Sequence, residues 1–190
     1  TYDSGEFERN MDRACALADW DGFESRRAEA KSRGRLRGIG IASVIEIAGG
    51  PFLRPAEEYA EVRFDQSGSA HVLIGTTSQG QGHETTFTQV IGEFLGLPPQ
   101  RVRISFGDTD QVAFGRGTFG SRVAAAVSGS LRAASDTIID RATDIAAHLL
   151  EVGRQELEFA HGRFTIAGTD RSVDIVTVAR AAFRADLLPP

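Results

Sequence analysis

The sequence predicts an α+β fold, in which strands and helices are interspersed without a strict strand–helix–strand alternation. Apolar and polar residues alternate through 61–65 and 70–76, on either side of a polar turn, which is typical of a β-hairpin. Apolar residues recur at helical spacing through 87–95 and again through 123–149. A glycine-rich segment precedes each of these helices. We therefore expect a mixed sheet with packed helices, two glycine-rich strand-to-helix turns and a helical N-terminal lead.

The helical lead is expected to occupy residues 1–36. Ser4 is the expected N-cap of a first helix, because apolar residues follow it at helical spacing. Asp19 or Asp21 is the expected N-cap of a second helix. Residues 37–190 are then expected to form the α+β segment.

Further elements are predicted within the α+β segment. Isoleucines at alternate positions predict a strand across 39–47. Arg101–Phe106 alternates as another strand, and 156–166 has the pattern of a second hairpin. The long helix is expected to begin at Ser121, and a short last helix at Ser172.

Composition and charge argue against several classes of protein. The net charge is −5, whereas a nucleic-acid-binding domain needs a basic face. No apolar run approaches the length of about 20 residues that spans a bilayer, so we expect no membrane insertion. The start of the chain has neither a signal-peptide pattern nor an initiator Met, so we expect a piece of a longer chain. The single cysteine, Cys15, fits a reducing compartment and a cytoplasmic location.

Both glycine-rich segments connect a strand to the start of a helix. A helix N-terminus offers unpaired N–H groups and a positive dipole end, and glycine lets an anion approach the backbone. The first segment is centred on Gln79–Gly82, and the second runs through 107–120. Ser121 and Arg122 would add a hydroxyl and a guanidinium to the second turn. The residues alone thus indicate two phosphate-type sites, or glycines that serve only tight turns and packing in a scaffold or interaction domain.

The second segment contains GRGTFG at 115–120, which matches a nicotinamide-dinucleotide fingerprint. That fingerprint should follow a buried strand directly, but Asp108–Gln111 intervene. The acidic residues at roughly the right distance, Asp136 and Asp140, fall inside the predicted long helix. A nicotinamide-dependent enzyme is therefore the less favoured alternative.

Neither a metal site nor a hydrolytic site emerges from the sequence. His83 and Glu84 are adjacent in the first turn of a predicted helix, so their side chains point about 100° apart and are poorly placed to clasp one ion. We expect both to be structural. The sequence has no G-x-S-x-G motif, and we assign no catalytic residue and no metal ligand.

The two segments together carry a resemblance to a known family. GQGHETT at 80–86, the helix that ends in LGLPP, and then GDTD and GRGTFGSR resemble the molybdenum hydroxylases, the xanthine dehydrogenase and aldehyde oxidase family. The sequence is most similar to bacterial large, molybdopterin-binding subunits of the carbon monoxide dehydrogenase type. The resemblance extends over nearly the whole chain.

The resemblance implies a cofactor and a reaction class. Such subunits bind molybdopterin, in bacteria usually as the cytosine dinucleotide, and the pterin dithiolene ligates the molybdenum. The enzymes hydroxylate aldehydes or N-heterocycles, or oxidise carbon monoxide, and so act on small molecules. Electrons leave through iron–sulfur clusters and often FAD on partner subunits. The implied partners of this chain are the rest of the large subunit and those iron–sulfur and flavin subunits.

The resemblance also implies which residues contact the cofactor and what the chain lacks. Gln79, Gly80, Gln81 and Gly82 would lie against the pterin and its phosphates. A second cofactor wall would be formed by Phe119, Gly120, Ser121, Arg122 and Val123. The family's catalytic glutamate lies in a C-terminal motif that this sequence does not contain, so we expect the chain to be a segment that is inactive alone.

Overall fold

A computed structural model describes residues 4–45, 49 and 57–189 of the chain. The chain divides into two compact units, Thr1–Ile45 and Glu46–Pro190. The domain boundary expected between residues 36 and 37 stays a prediction. The α+β class is confirmed, because five α-helices accompany two small sheets within the described residues.

The first unit contains the two expected helices, α1 (Phe7–Leu17) and α2 (Phe23–Ser32). The side chains of α1 are largely exposed, and α2 buries only Ala30. Helix stability in proteins comes mainly from packing of an apolar face, and within this unit these helices have little of it.

The expected capping residues of α1 and α2 are wrong. The N-cap positions are Glu6 and Gly22, and neither makes a side-chain capping hydrogen bond. Ser4 lies two residues too early. Asp19 lies in the connection, where its carboxylate pairs with Arg26.

The strand predicted across 39–47 is wrong for its described part. Residues 35–45 have no regular secondary structure and are exposed. The rest of the predicted strand, 46–47, lies outside the described residues. A strand needs the backbone of a neighbouring strand, and none of the described strands pairs with this stretch.

The first sheet of the second unit contains three strands in the order β1, β2, β3. Strand β1 (Ala60–Phe64) is antiparallel to β2 (Ala70–Ile74), which confirms the first hairpin. Strand β3 (Val102–Phe106) is parallel to β2, because an intervening helix returns the chain to the end of the sheet at which β2 begins. The sheet is therefore mixed.

Helices α3 (His83–Leu95) and α4 (Val123–Leu150) contact each other and cover this sheet. The core side chains Phe87, Ile91 and Leu95 of α3 are fully buried. Gly96 ends α3 in the left-handed conformation, with φ of 64°, as its position after the apolar stripe predicts.

Helix α4 begins two residues later than the sequence predicted. Ser121 has φ of 51°, which is incompatible with a right-handed helix, so the helix starts only at Val123. Helix α4 contacts β1 of the first sheet and two strands of a second sheet, and so joins the two sheets.

The second sheet contains β4 (Leu157–Ala160), β5 (Arg163–Ile166) and β6 (Ser172–Asp174), all antiparallel. The expected hairpin is confirmed. The last helix, α5 (Ile175–Ala181), starts later than Ser172, because 172–174 pairs with β5 and the Asp174 carboxylate caps the helix through the N–H of Thr177 at 2.9 Å.

Candidate functional site

The first glycine-rich turn leaves its backbone open. Gln79, Gly80 and Gln81 are exposed, and Gly82 is half-buried. Gly80 and Gly82 have φ of 106° and 76°, and a Cβ added at either would meet no atom within 4 Å. The Gln81 carboxamide oxygen accepts a hydrogen bond from the Gln79 N–H, so this side chain folds over its own turn.

The second turn has a similar backbone course. Gly120 and Ser121 have φ of 58° and 51°, and Arg122 then has φ of −87° before α4 starts at Val123. In both turns left-handed residues lead into a right-handed helix. This sequence of conformations orients successive N–H groups into a concavity suited to anions.

The two turns line one cavity of about 600 Å³. Among its lining residues are Gln79 and Gln81 from the first turn and Phe119, Gly120, Ser121 and Val123 from the second. The residues expected at the site are therefore mostly neighbours in space, although the two turns are about 40 positions apart. Gly80, Gly82 and Arg122 are outside this lining.

Arg122 is placed differently from the sequence-based expectation. Its side chain is 1% exposed and forms a buried ion pair with Glu58, with 2.6 Å between Nη1 and Oε2. Its guanidinium also donates to the carbonyl oxygens of Gly117 and Glu57, both at 3.1 Å. Because the guanidinium binds Glu58, Gly117 and Glu57, Arg122 stabilises the second turn from outside the cavity lining.

A stacking contact connects Arg122 to the cavity wall. Its guanidinium carbon lies 5.4 Å from the ring centroid of Phe119, and the Phe119 ring lines the cavity. A cation at this distance from an aromatic face is attracted by the ring quadrupole. Arg122 thus orients Phe119.

Threonine hydroxyls connect the end of β2 to the second loop. Thr118 Oγ1 donates to the carbonyl oxygen of Thr77, and lies 2.7 Å from Thr76 Oγ1. A hydroxyl has one proton, so Thr76 must be the donor to Thr118. The pair therefore holds the second loop against the residues that lead into the first turn.

Two glycines let the same loop approach the strand end. A Cβ on Gly115 would lie 1.7 Å from the carbonyl oxygen of Gly75, and a Cβ on Gly75 would lie 2.5 Å from the carbonyl oxygen of Phe114. The first glycine of GRGTFG is thus required for packing. The parallel, doubly wound sheet that a nicotinamide site would need is not present among the described strands.

His83 lines the cavity from the first position of α3. The residue is 5% exposed, and its ring centroid lies 5.3 Å from that of Phe87 and 6.3 Å from that of Phe106. Burial lowers the pKa of the ring, and nearby Glu84 opposes this shift. Its Nδ1 is buried and has no hydrogen-bond partner within the part of the chain that the structure describes.

Sequence reasoning did not find Glu58, Thr76 or Thr118 as residues that organise the site. Glu58 lies 64 positions before Arg122, and no local pattern links them. The GRGTFG motif does lie in a constrained loop, and the constraint is the close approach of Gly115 to the backbone of Gly75.

The described ranges, 4–45, 49 and 57–189, contain neither a cluster of metal ligands nor a membrane-spanning helix. There, no group of three or more His, Cys, Asp or Glu side chains could hold a metal ion. No helix in those ranges is long and apolar enough to cross a membrane.

The fold and the cavity define an α+β domain with two helix N-termini at one concave site. The family of molybdopterin cofactor-binding domains matches residues 13–187. The chain therefore belongs to this family, and the resemblance to molybdenum hydroxylase large subunits is confirmed.

Individual relatives support the same assignment. The carbon monoxide dehydrogenase large chain of Afipia carboxidovorans is 37% identical over 88% of this chain and 22% of its own length. The nicotine 6-hydroxylase large subunit of Paenarthrobacter nicotinovorans is 31% identical over 96% of this chain and 23% of its own length. The structure of reconstituted carbon monoxide dehydrogenase from Oligotropha carboxidovorans superposes with a TM-score of 0.68 and 34% identity, over 97% of this chain and 25% of that chain.

The chain spans about a quarter of the length of the relatives that it matches. Their names describe large or molybdenum-binding subunits, and so members of multi-subunit complexes.

Proposed function

We propose that the cavity between the two turns forms part of the wall that binds the phosphates and the pterin of a molybdopterin cofactor. The observation that carries this proposal is that Gln79 and Gln81 line the same cavity as Gly120 and Ser121. Two helix N-termini converging on one site favour a ligand with more than one anionic group, such as a pyrophosphate.

The donor set fits such a ligand. Exposed glutamine amides and the Ser121 hydroxyl can donate hydrogen bonds, and the first-turn N–H groups of α3 and α4 have no partners inside their own helices. The open space beside Gly80 and Gly82 allows close approach to the backbone. When bound, the cofactor supplies the redox-active molybdenum, and this chain's residues hold and orient its phosphate end.

The proposal extends to the whole protein. The chain would be a segment of a large subunit whose cofactor is the cytosine dinucleotide form, with iron–sulfur and FAD groups on partner subunits, in the cytoplasm. The reaction would be oxidation of carbon monoxide or hydroxylation of an aldehyde or N-heterocycle. The chain alone would be inactive, and Gln79–Gly82 and Phe119–Val123 would supply only part of the cofactor's surroundings.

The test is Gln81→Glu in the large subunit that carries this segment. Glutamate has nearly the same shape and still accepts from the Gln79 N–H, but its negative charge would repel a phosphate. We expect the molybdenum and cytosine-nucleotide content of the purified subunit to fall severalfold. Gln89→Glu is the matched control, because Gln89 is exposed on α3, the helix that follows this turn, and does not line the cavity.

Ser121→Gly supplies an independent variant. Glycine adopts the left-handed conformation of this position without strain, so the change removes the hydroxyl and preserves the turn. Molybdenum and nucleotide content equal to wild type in both Gln81→Glu and Ser121→Gly would overturn the proposal.

A further inference from the structure

His83 combines three properties that its position in α3 does not require. The residue is only 5% exposed, it lines the cavity between the two turns, and its Nδ1 lacks a hydrogen-bond partner among the described residues. Buried polar atoms are almost always hydrogen-bonded, and an unsatisfied one costs stability. An apolar residue at this place would pack against Phe87 and Phe106 without that cost.

The surroundings of the ring suggest the missing partner. The N-cap of α3 is Gly82, which offers no side chain to the helix N-terminus. His83 occupies the first position of α3 and lines the cavity, and the dipole at this end of the helix favours a negatively charged oxygen. A neutral imidazole with its proton on Nδ1 would donate to such an oxygen.

We propose that His83 is a ligand-binding residue, whose Nδ1 donates a hydrogen bond to an acceptor oxygen of the cofactor at the N-terminus of α3. This inference rests on the proposed function and adds to it one contact from a side chain that the sequence pattern marks as structural. The unpaired Nδ1 is then a cost of the ligand-free protein that cofactor binding removes.

Three substitutions in the large subunit separate this role from a packing role. His83→Phe keeps a flat ring and removes the donor. His83→Asn places an amide at the position of Nδ1, whereas His83→Gln places it near the position of Nε2. The measurements are molybdenum and nucleotide content, and the melting temperature of cofactor-free subunit from cells grown without molybdate.

We expect His83→Phe to weaken cofactor binding at least about tenfold, the lower end of the effect of one hydrogen bond to a charged group. Content in His83→Asn should exceed that in His83→Gln and His83→Phe. The melting temperature of cofactor-free His83→Phe should equal or exceed that of wild type, because a buried unsatisfied atom is removed.

Two results would overturn the inference. In the first, His83→Phe retains full molybdenum and nucleotide content while Gln81→Glu loses it, which would leave the proposed function standing and reject only the His83 contact. In the second, cofactor-free His83→Phe melts well below wild type, and His83→Asn restores no molybdenum or nucleotide content. That combination would assign His83 to packing. Full content in Gln81→Glu, Ser121→Gly and His83→Phe together would reject the proposed function itself.

Discussion

At the scale of single residues, the Glu58–Arg122 pair explains how the second turn keeps its shape. Both side chains are essentially inaccessible, and the Glu58 carboxylate also accepts from the N–H of Tyr59 at 3.1 Å. Taking two charges out of water is expensive, and only good geometry with additional hydrogen bonds offsets it. The Ser130 hydroxyl adds one more link, donating to the Glu58 carbonyl at 2.7 Å.

Removing one partner of this pair should be costly. We expect Arg122→Met to destabilise the chain by about 3–5 kcal/mol, since it leaves a buried carboxylate without its cation. The double variant Glu58→Gln/Arg122→Met should lose much less than the sum of the two single changes. Denaturant unfolding of all four proteins measures this coupling, and additive losses would contradict a direct interaction.

The depressed pKa of His83 predicts a pH dependence of stability. Desolvation holds the pKa below its ordinary value of 6.5 in the folded chain, and Glu84 only partly opposes this. As the pH falls below 6.5, the unfolded chain therefore binds a proton that the folded chain excludes. The free energy of unfolding should fall from about pH 7 to about pH 5 because of this group.

His83→Phe should flatten that dependence. Melting temperatures of wild type and variant, recorded across the same pH range, test the expectation. Parallel curves for the two proteins would show that His83 titrates alike in the folded and unfolded states.

At the scale of elements, the helices show which local sequence signals are enough to predict where a helix begins and ends. The apolar stripe and Gly96 predicted α3 correctly, because periodicity and a left-handed C-cap are local properties. The start of α4 and the start of α5 were predicted too early. Ser121 adopts a left-handed conformation, and 172–174 pairs with β5, so tertiary contacts overrode local preference at both places.

Two helical glycines provide a matched comparison of element stability. Gly129 lies exposed in α4, and a Cβ there would meet nothing within 4 Å. Gly129→Ala should therefore stabilise the chain by about 0.5–1 kcal/mol through helix propensity. In α3 a Cβ on Gly92 would lie 2.9 Å from the carbonyl oxygen of Leu97, so Gly92→Ala should lack this gain or destabilise. Thermal or denaturant unfolding of the two variants measures the change in stability. Equal gains in stability at both positions would contradict the expected clash at Gly92.

At the scale of the whole molecule, the chain is a cofactor-binding domain that spans about a quarter of its relatives' length. The apolar side chains of Val44 and Ile45 are strongly exposed, and they lie in the stretch, 39–47, whose pattern predicted a strand. An alternating apolar pattern forms a strand only beside a partner strand, and none of the described strands pairs with 35–45.

The isolated chain should therefore bind the cofactor poorly. Gln79, Gly80 and Gln81 are exposed, so the proposed wall would leave most of a dinucleotide in solvent, and the pockets that hold such ligands bury most of their surface. We expect negligible molybdenum in the purified 190-residue chain and no turnover with an artificial electron acceptor. Metal analysis and the dye-linked assay check this, with the large subunit as the positive control; turnover by the chain alone would contradict it.

The sequence by itself determined the two glycine turns, the apolar faces of α3 and α4, the two hairpins and the family. Backbone conformation and periodicity depend on neighbouring residues, and family motifs are local strings. Only the tertiary structure decided that Gln81 and Ser121 line one cavity, and that Arg122 pairs with Glu58 and does not line that cavity. It also decided that His83 is buried and that its Nδ1 has no hydrogen-bond partner among the described residues. Each of these depends on contacts between distant segments, which the parallel pairing of β2 with β3 and the packing of α3 against α4 bring together.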